Sequence, residues 1–145
     1  GSLSPVASCG PSSLVLALNA NGMTSRIRAA RDEHFDPWPV VKLYNPLGPA
    51  TWLATELDDD GDTLFGLADL GFGCAELGAF SLSEIRAVRL PFGMAIERDL
   101  HFDPMGPLSL WADEARRLGS IPRAEAAMRR RKSDQLLPDP TGEGR

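Results

Sequence analysis

Two neighbouring segments, residues 40–45 and 51–57, are rich in β-forming residues, and their side chains would point alternately to the two faces of a β-strand. The sequence PLGP between them ends the first run, because proline has no N–H for a ladder and glycine permits a positive φ. The pattern therefore predicts a β-hairpin over residues 40–57. Two strands alone are marginally stable in water, so we expect further strands and a covering helix.

Apolar runs after the hairpin predict further strands at residues 63–72, 75–80 and 95–102. Helical spacing predicts helices at residues 14–20 and 24–34, separated by Asn21-Gly22, and at residues 82–88 and 107–118. Ser81 and Glu84 have the spacing of a capping box. We therefore predict an α+β fold: an antiparallel sheet of four to five strands, a meander with its hairpin at 40–57, and helices packed on one face.

The 145 residues are enough for one domain, which we place at residues 14–119. Residues 1–13 are rich in serine, proline and glycine, which favours a disordered N-terminal segment. Residues 120–145 are mostly polar and charged, which predicts a basic and largely disordered C-terminal tail.

The formal net charge of −5 hides a strong asymmetry along the chain. Residues 33–114 carry 15 acidic against 4 basic side chains, whereas residues 115–132 carry 7 basic against 1 acidic. The acidic body would repel phosphate and the basic tail would attract it.

Three features favour a cytoplasmic protein without membrane contact. No apolar run approaches the roughly 20 residues of a membrane span. No lysine or arginine precedes the short apolar run at residues 14–18, as a signal peptide would require. The two cysteines, Cys9 and Cys74, are more typical of reduced thiols than of a disulfide framework.

Several blocks of the sequence resemble a known family. They are PVVKL at residues 39–43, TWLATELD at 51–58, FGL at 65–67, ELG at 76–78, FSLSE at 80–84 and ERDLHF at 97–102. In this order they resemble the family called domain of unknown function 2958, over about residues 19–121. The resemblance implies an uncharacterised protein of bacterial plasmids, phages or other mobile elements, and it implies no mechanism.

Clustered carboxylates suggest one catalytic alternative, a metal-dependent nuclease. Such enzymes use two or three carboxylates, often with a lysine, to hold Mg²⁺ and activate water. The candidates are Glu56, Asp58, Asp99 and His101. The plain alternative for Glu56 is a cross-strand ion pair with Lys42. Mg²⁺ enters only under this hypothesis, and we otherwise predict no cofactor.

The sequence predicts no calcium or zinc site, because the ligand spacing of both kinds of site is missing. The acidic run at residues 58–62 is typical of a turn, because position twelve of a calcium loop would be Asp69 rather than glutamate. The two cysteines and two histidines lack the ligand spacing of a zinc site.

Binding without catalysis is the favoured function. Arg129, Arg130, Arg131 and Lys132 are the candidate nucleic-acid contacts, since their charge can neutralise phosphates. Alternatively, the acidic body presents carboxylates to a protein partner. We therefore expect a non-catalytic binding or accessory protein of a mobile element that engages nucleic acid or protein. The oligomeric state stays open.

Overall fold

A computed structural model describes residues 11–31 and 34–136 of the chain. These residues form four α-helices and five β-strands. In chain order they are α1 (Pro11–Ala30), β1 (Val41–Tyr44), β2 (Thr51–Leu57), β3 (Thr63–Asp69), β4 (Glu76–Ser81), α2 (Leu82–Ala87), β5 (Glu97–Arg98), α3 (Leu108–Leu118) and α4 (Ile121–Leu136).

The strands form one antiparallel sheet in the order β4-β3-β2-β1-β5. The predicted hairpin is present as β1 and β2, which pair from Val41 opposite Ala54 to Tyr44 opposite Thr51. The predicted α+β class and the antiparallel meander are confirmed. The strand expected at residues 95–102 is reduced to two residues, because the chain turns at Asp99, whose side chain accepts a hydrogen bond from the His101 N–H.

Helices cover both faces of this sheet, so the prediction of helices on one face is wrong. Leu53 and Leu67 pack under α3 and α4, on what we call the α4 face. Ala54, Leu57 and Leu64 pack with Leu18 of α1 on the opposite, α1 face. The reason is visible in β2, where alternation of polar and apolar residues fails: residues 51–55 are all buried.

The first helix is continuous, whereas two helices separated at Asn21-Gly22 were expected. Asn21 donates a side-chain hydrogen bond to the Thr55 carbonyl oxygen at 2.9 Å. A Cβ on Gly22 would lie 3.3 Å from the Leu57 carbonyl oxygen. These two residues are therefore the point where α1 meets β2 closely, and glycine serves that approach rather than a helix stop.

The predicted disordered tail is wrong for residues 121–136, which form α4. Ile121, Ala124, Ala127 and Met128 are buried, and their spacing of three and four residues makes one helical face. The small alanines give only a weak hydrophobic signal beside the flanking arginines. Residues 1–10 and 137–145, which were also predicted to be disordered, lie outside the described part of the chain. Residues 11–13 were predicted to be disordered but belong to α1.

Three aspartates from outside the helices accept hydrogen bonds at helix N-termini. Asp62 accepts from the Ser83 N–H of α2 at 2.7 Å, together with the capping hydroxyl of Ser81. Asp36 accepts from the Ser109 N–H of α3 at 3.0 Å. Carboxylates at these positions satisfy unpaired N–H groups and complement the positive end of the helix dipole.

The third of these aspartates, Asp69, is fully buried at the end of β3. One of its oxygens accepts from the Gly71 N–H at 2.9 Å, and the other accepts from the Ile121 N–H of α4 at 2.8 Å. The Ser120 hydroxyl accepts from the Arg123 N–H at 3.1 Å and completes the cap. Asp69 thus joins the sheet, the β3–β4 turn and α4.

No helix within the described residues is long and apolar enough to cross a lipid bilayer.

Replacing Asp69 with alanine should destabilise the fold strongly. The change leaves the buried N–H of Ile121 and the partly buried N–H of Gly71 without an acceptor, at a cost of about 3 kcal/mol in unfolding free energy. The matched control is Asp60→Ala, since Asp60 also accepts from two backbone N–H groups, at 2.8 Å each, but in an exposed turn. Urea denaturation should show a much smaller loss for that variant. Equal losses would contradict a special role for Asp69.

Gly66→Ala should prevent stable folding, whereas Gly78→Ala should not. The two glycines are paired across β3 and β4. A Cβ on Gly66 would lie 1.8 Å from the Leu53 carbonyl oxygen, beside the β-bulge between Ala54 and Glu56, whereas a Cβ on Gly78 meets nothing within 4 Å. Thermal denaturation of both variants tests this asymmetry. We expect a loss of about 3 kcal/mol or more for Gly66→Ala alone.

Candidate functional site

An apolar groove of about 340 Å³ opens on the α1 face of the sheet. Ten aliphatic residues and two arginines line it, and none of the lining residues is acidic. They come from α1, the first three strands, α2 and the segment around β5: Leu14, Val15, Leu18, Val41, Leu43, Leu57, Leu64, Leu82, Ile85, Arg86, Ile96 and Arg98. Concave apolar surfaces with a few polar groups are the usual form of a binding site.

The fold builds this groove from the local sequence. Leu14 and Leu18 lie four residues apart, so they occupy the same side of α1. Val41 and Leu43 are alternate residues of β1 and therefore point to the same sheet face. Ile85 is the buried residue of the short helix α2. Elements distant in sequence thus place their apolar side chains around one depression.

Sequence reasoning missed this groove, although part of the signal was present. The apolar run at residues 14–18 indicates a short helix, but by itself it does not indicate which side chains face a groove. Val15 is 41% exposed and lines the groove, whereas its neighbour Leu16 is 69% exposed and does not. The groove depends on tertiary packing of α1 against the sheet, which no local pattern predicts.

The first two candidate catalytic residues lie beside α1. Glu56 and Asp58 line a separate cleft of about 240 Å³ together with Arg26. Burial raises the pKa of Glu56, while a hydrogen bond with Ser25 and the charge of Arg26 act in the opposite direction. The Arg26 guanidinium lies 4.0 Å from the Asp58 carboxylate. Both acids therefore have local electrostatic partners on the first helix.

The other two candidates lie elsewhere, next to β1 and α4. Asp99 is 3.4 Å from the Lys42 ammonium group, and its carboxylate accepts from the backbone N–H of His101. Lys42 also donates to Glu125 of α4 at 2.6 Å. Lys42 pairs with these two acids and is opposite Leu53 in the sheet, so the expected ion pair with Glu56 does not form.

The structure therefore divides the four candidates into two pairs. Within residues 11–31 and 34–136, no group of three or more histidine, cysteine or acidic side chains is placed to hold a metal ion. In the acidic turn, Asp60 accepts from the Thr63 hydroxyl and from two backbone N–H groups, which lowers the pKa of its carboxyl. These oxygens are thus engaged in the turn itself.

Three of the four basic candidates form ion pairs with the domain. Arg129 lies 3.3 Å from Glu125, and Arg131 lies 2.7 Å from Glu114. Lys132 pairs with Asp103. Arg130 is exposed on α4. Arg131 and Lys132 therefore direct their charge to the acidic body and Arg129 pairs within α4, which reduces the charge available to phosphate.

Glu114 joins the last two helices electrostatically. Hydrogen bonds from Arg117 and Arg131 lower the pKa of its carboxyl to about 2. The Arg131 bond connects α3 to α4, and only 12% of the Glu114 side chain is exposed. A carboxylate held in this way stabilises the folded state only while it is ionised.

Glu114→Gln should flatten the pH dependence of stability in acid. Since the folded pKa is depressed from 4.5 to about 2, the wild-type contribution is present above pH 4.5 and is lost as the pH falls toward 2. Urea denaturation across this interval should therefore show a steeper loss in the wild type than in the variant. Glu76→Gln, which also removes one negative charge, is the control and should keep the wild-type slope.

Comparison with known proteins shows the family to which the chain belongs. A family model described as "Protein of unknown function (DUF2958)" matches residues 12–122, from α1 to the start of α4. Searches of curated proteins and of solved structures find no match. The resemblance expected over residues 19–121 is thereby confirmed and extended at its N-terminal end. Because the match spans well over half of the 145 residues, the chain belongs to the DUF2958 family.

Proposed function

We propose that this protein is a non-catalytic binding protein that holds an apolar segment of a protein partner in the groove on the α1 face. The observation that supports the proposal is the aliphatic lining that five elements and the segment before β5 contribute in an otherwise acidic chain. The setting in a plasmid or another mobile element, which the family resemblance implied, is part of the proposal.

The lining specifies the chemistry of the partner. Leucine, isoleucine and valine side chains gain by contact with other aliphatic groups, at about 25 cal/mol for each Å² of apolar surface removed from water. Arg86 lines the groove and is exposed, so it can receive a carboxylate from the partner. We therefore expect a segment with large aliphatic side chains and an adjacent aspartate or glutamate.

The positions of the polar residues favour binding over catalysis. Glu56 and Asp58 pair with α1 residues, whereas Asp99 lies in the Lys42–Glu125 network, so these acids share no cleft. The basic side chains of α4 are largely engaged by Glu114, Glu125 and Asp103. These contacts support a protein partner over a nuclease activity or a nucleic-acid ligand.

Val15→Glu should weaken binding of such a segment strongly, because it places a carboxylate in the aliphatic lining. The measurement begins with selection of a displayed random peptide library on the wild-type protein. Fluorescence anisotropy with an enriched peptide then gives the dissociation constant for each variant. We expect enriched peptides with spaced aliphatic residues and an acidic residue, and a loss of affinity of about tenfold or more for Val15→Glu.

Leu16→Glu is the matched control, since it adds the same charge one residue along α1 but outside the groove. It should bind the peptide with near wild-type affinity. Arg86→Glu should weaken binding, and replacing the acidic residue of the peptide with lysine should restore it. Equal binding by all variants, or a library that yields no enriched peptide, would contradict the proposal.

A further inference from the structure

The two edges of the sheet differ in how far they are open to another strand. The β5 edge contains only two residues, and short edges resist pairing. At the other edge, β4 contains six residues and pairs with β3 along one side. Within residues 11–31 and 34–136, no backbone group forms a hydrogen bond with the outer side of β4.

Strand β4 also lacks the features that usually protect an edge. Its sequence, ELGAFS, contains no proline and no basic residue, and its pairing with β3 runs without a bulge. Glu76 is its only charged residue. The register places Leu77 of β4 and Phe65 of β3 on the α4 face, where they are 43% and 38% exposed. An apolar strip therefore runs beside the unpaired backbone.

We propose that a second copy of this chain pairs with the β4 edge, antiparallel to it, about a two-fold axis at Gly78 or Ala79. With the axis at either residue, each residue of β4 pairs with a partner residue whose number differs from its own by an even number. Paired side chains therefore lie on the same face of the joined sheet. It joins the two sheets into one and leaves the two Glu76 carboxylates apart, so the pairing creates no directly opposed like charges.

The second copy is favoured over an unrelated strand by self-complementarity. With the axis at Gly78, Leu77 faces the small Ala79 of the partner subunit, which leaves room for the leucine side chain. A Cβ at Gly78 meets nothing within 4 Å, so no side chain of the same copy blocks the axis. Pairing would also place a neighbouring strand beside the exposed Leu77 of β4.

Cysteine cross-linking tests the arrangement directly. A residue on the axis faces its own counterpart with the two Cα atoms about 4.5–5.5 Å apart, within the range that a disulfide spans. In a background of Cys9→Ser and Cys74→Ser, either Gly78→Cys or Ala79→Cys should form a covalent dimer under mild oxidation. Leu47→Cys, at an exposed position in the β1–β2 turn, is the control and should form no covalent dimer.

Sedimentation equilibrium supplies an independent test. The wild type should dimerise, and Leu77→Lys should weaken dimerisation about tenfold or more, because it places a charge on the pairing edge. Leu47→Lys, with 48% exposure at the original leucine, should have no effect. Circular dichroism confirms that each variant is folded. A wild type that stays monomeric at every concentration, or the failure of both cysteine variants to cross-link, would overturn the proposal.

Discussion

The buried carboxylate of Asp69 is the contact on which the arrangement of helices and sheet depends. It is fully buried, and its two oxygens accept hydrogen bonds from Gly71 and from the first residue of α4. A buried carboxylate is costly unless such donors compensate it. The chain therefore cannot keep Asp69 in this position without α4 docked at the end of β3.

Docking of α4 organises the face of the sheet that it covers. Ile121, Ala124 and Met128 complete the core over Leu53 and Leu67. The same helix brings Glu125 to Lys42, while Arg131 meets Glu114 on α3. In the sequence these charges form an acidic body and a basic tail. In the folded protein several of them pair with one another.

Local signals predicted the parts of the fold that depend on local physics. The PLGP turn identified the hairpin, and the N-cap bond of the predicted capping box is present, with the Ser81 hydroxyl accepting from the Glu84 N–H at 3.1 Å. Gly119 ends α3 in the left-handed conformation, as expected of a glycine there. The helix end predicted at Asn21-Gly22 was wrong. An Asn-Gly pair ends many helices, whereas in this protein it lets α1 approach β2 closely.

The candidate site was less predictable than the fold, because its groups meet only in the folded chain. Charge alone suggested that Asp58, Asp99 and Arg131 act on a ligand, whereas each has a partner within the protein. Asp36, Asp62 and Asp69 contribute further acidity for a structural reason, since each accepts a hydrogen bond from the N-terminus of a helix. The groove, by contrast, consists of ordinary aliphatic residues that carry no sequence signature of function.

Methyl NMR spectroscopy during titration with an enriched peptide tests the central claim, that the groove on the α1 face is the binding site. The account predicts shifts for the methyl groups of Leu14, Leu18 and Val41, which line the groove, and none for Leu53 and Leu67 on the opposite face. Shifts confined to the α4 face, or to the exposed arginines of α4, would contradict it.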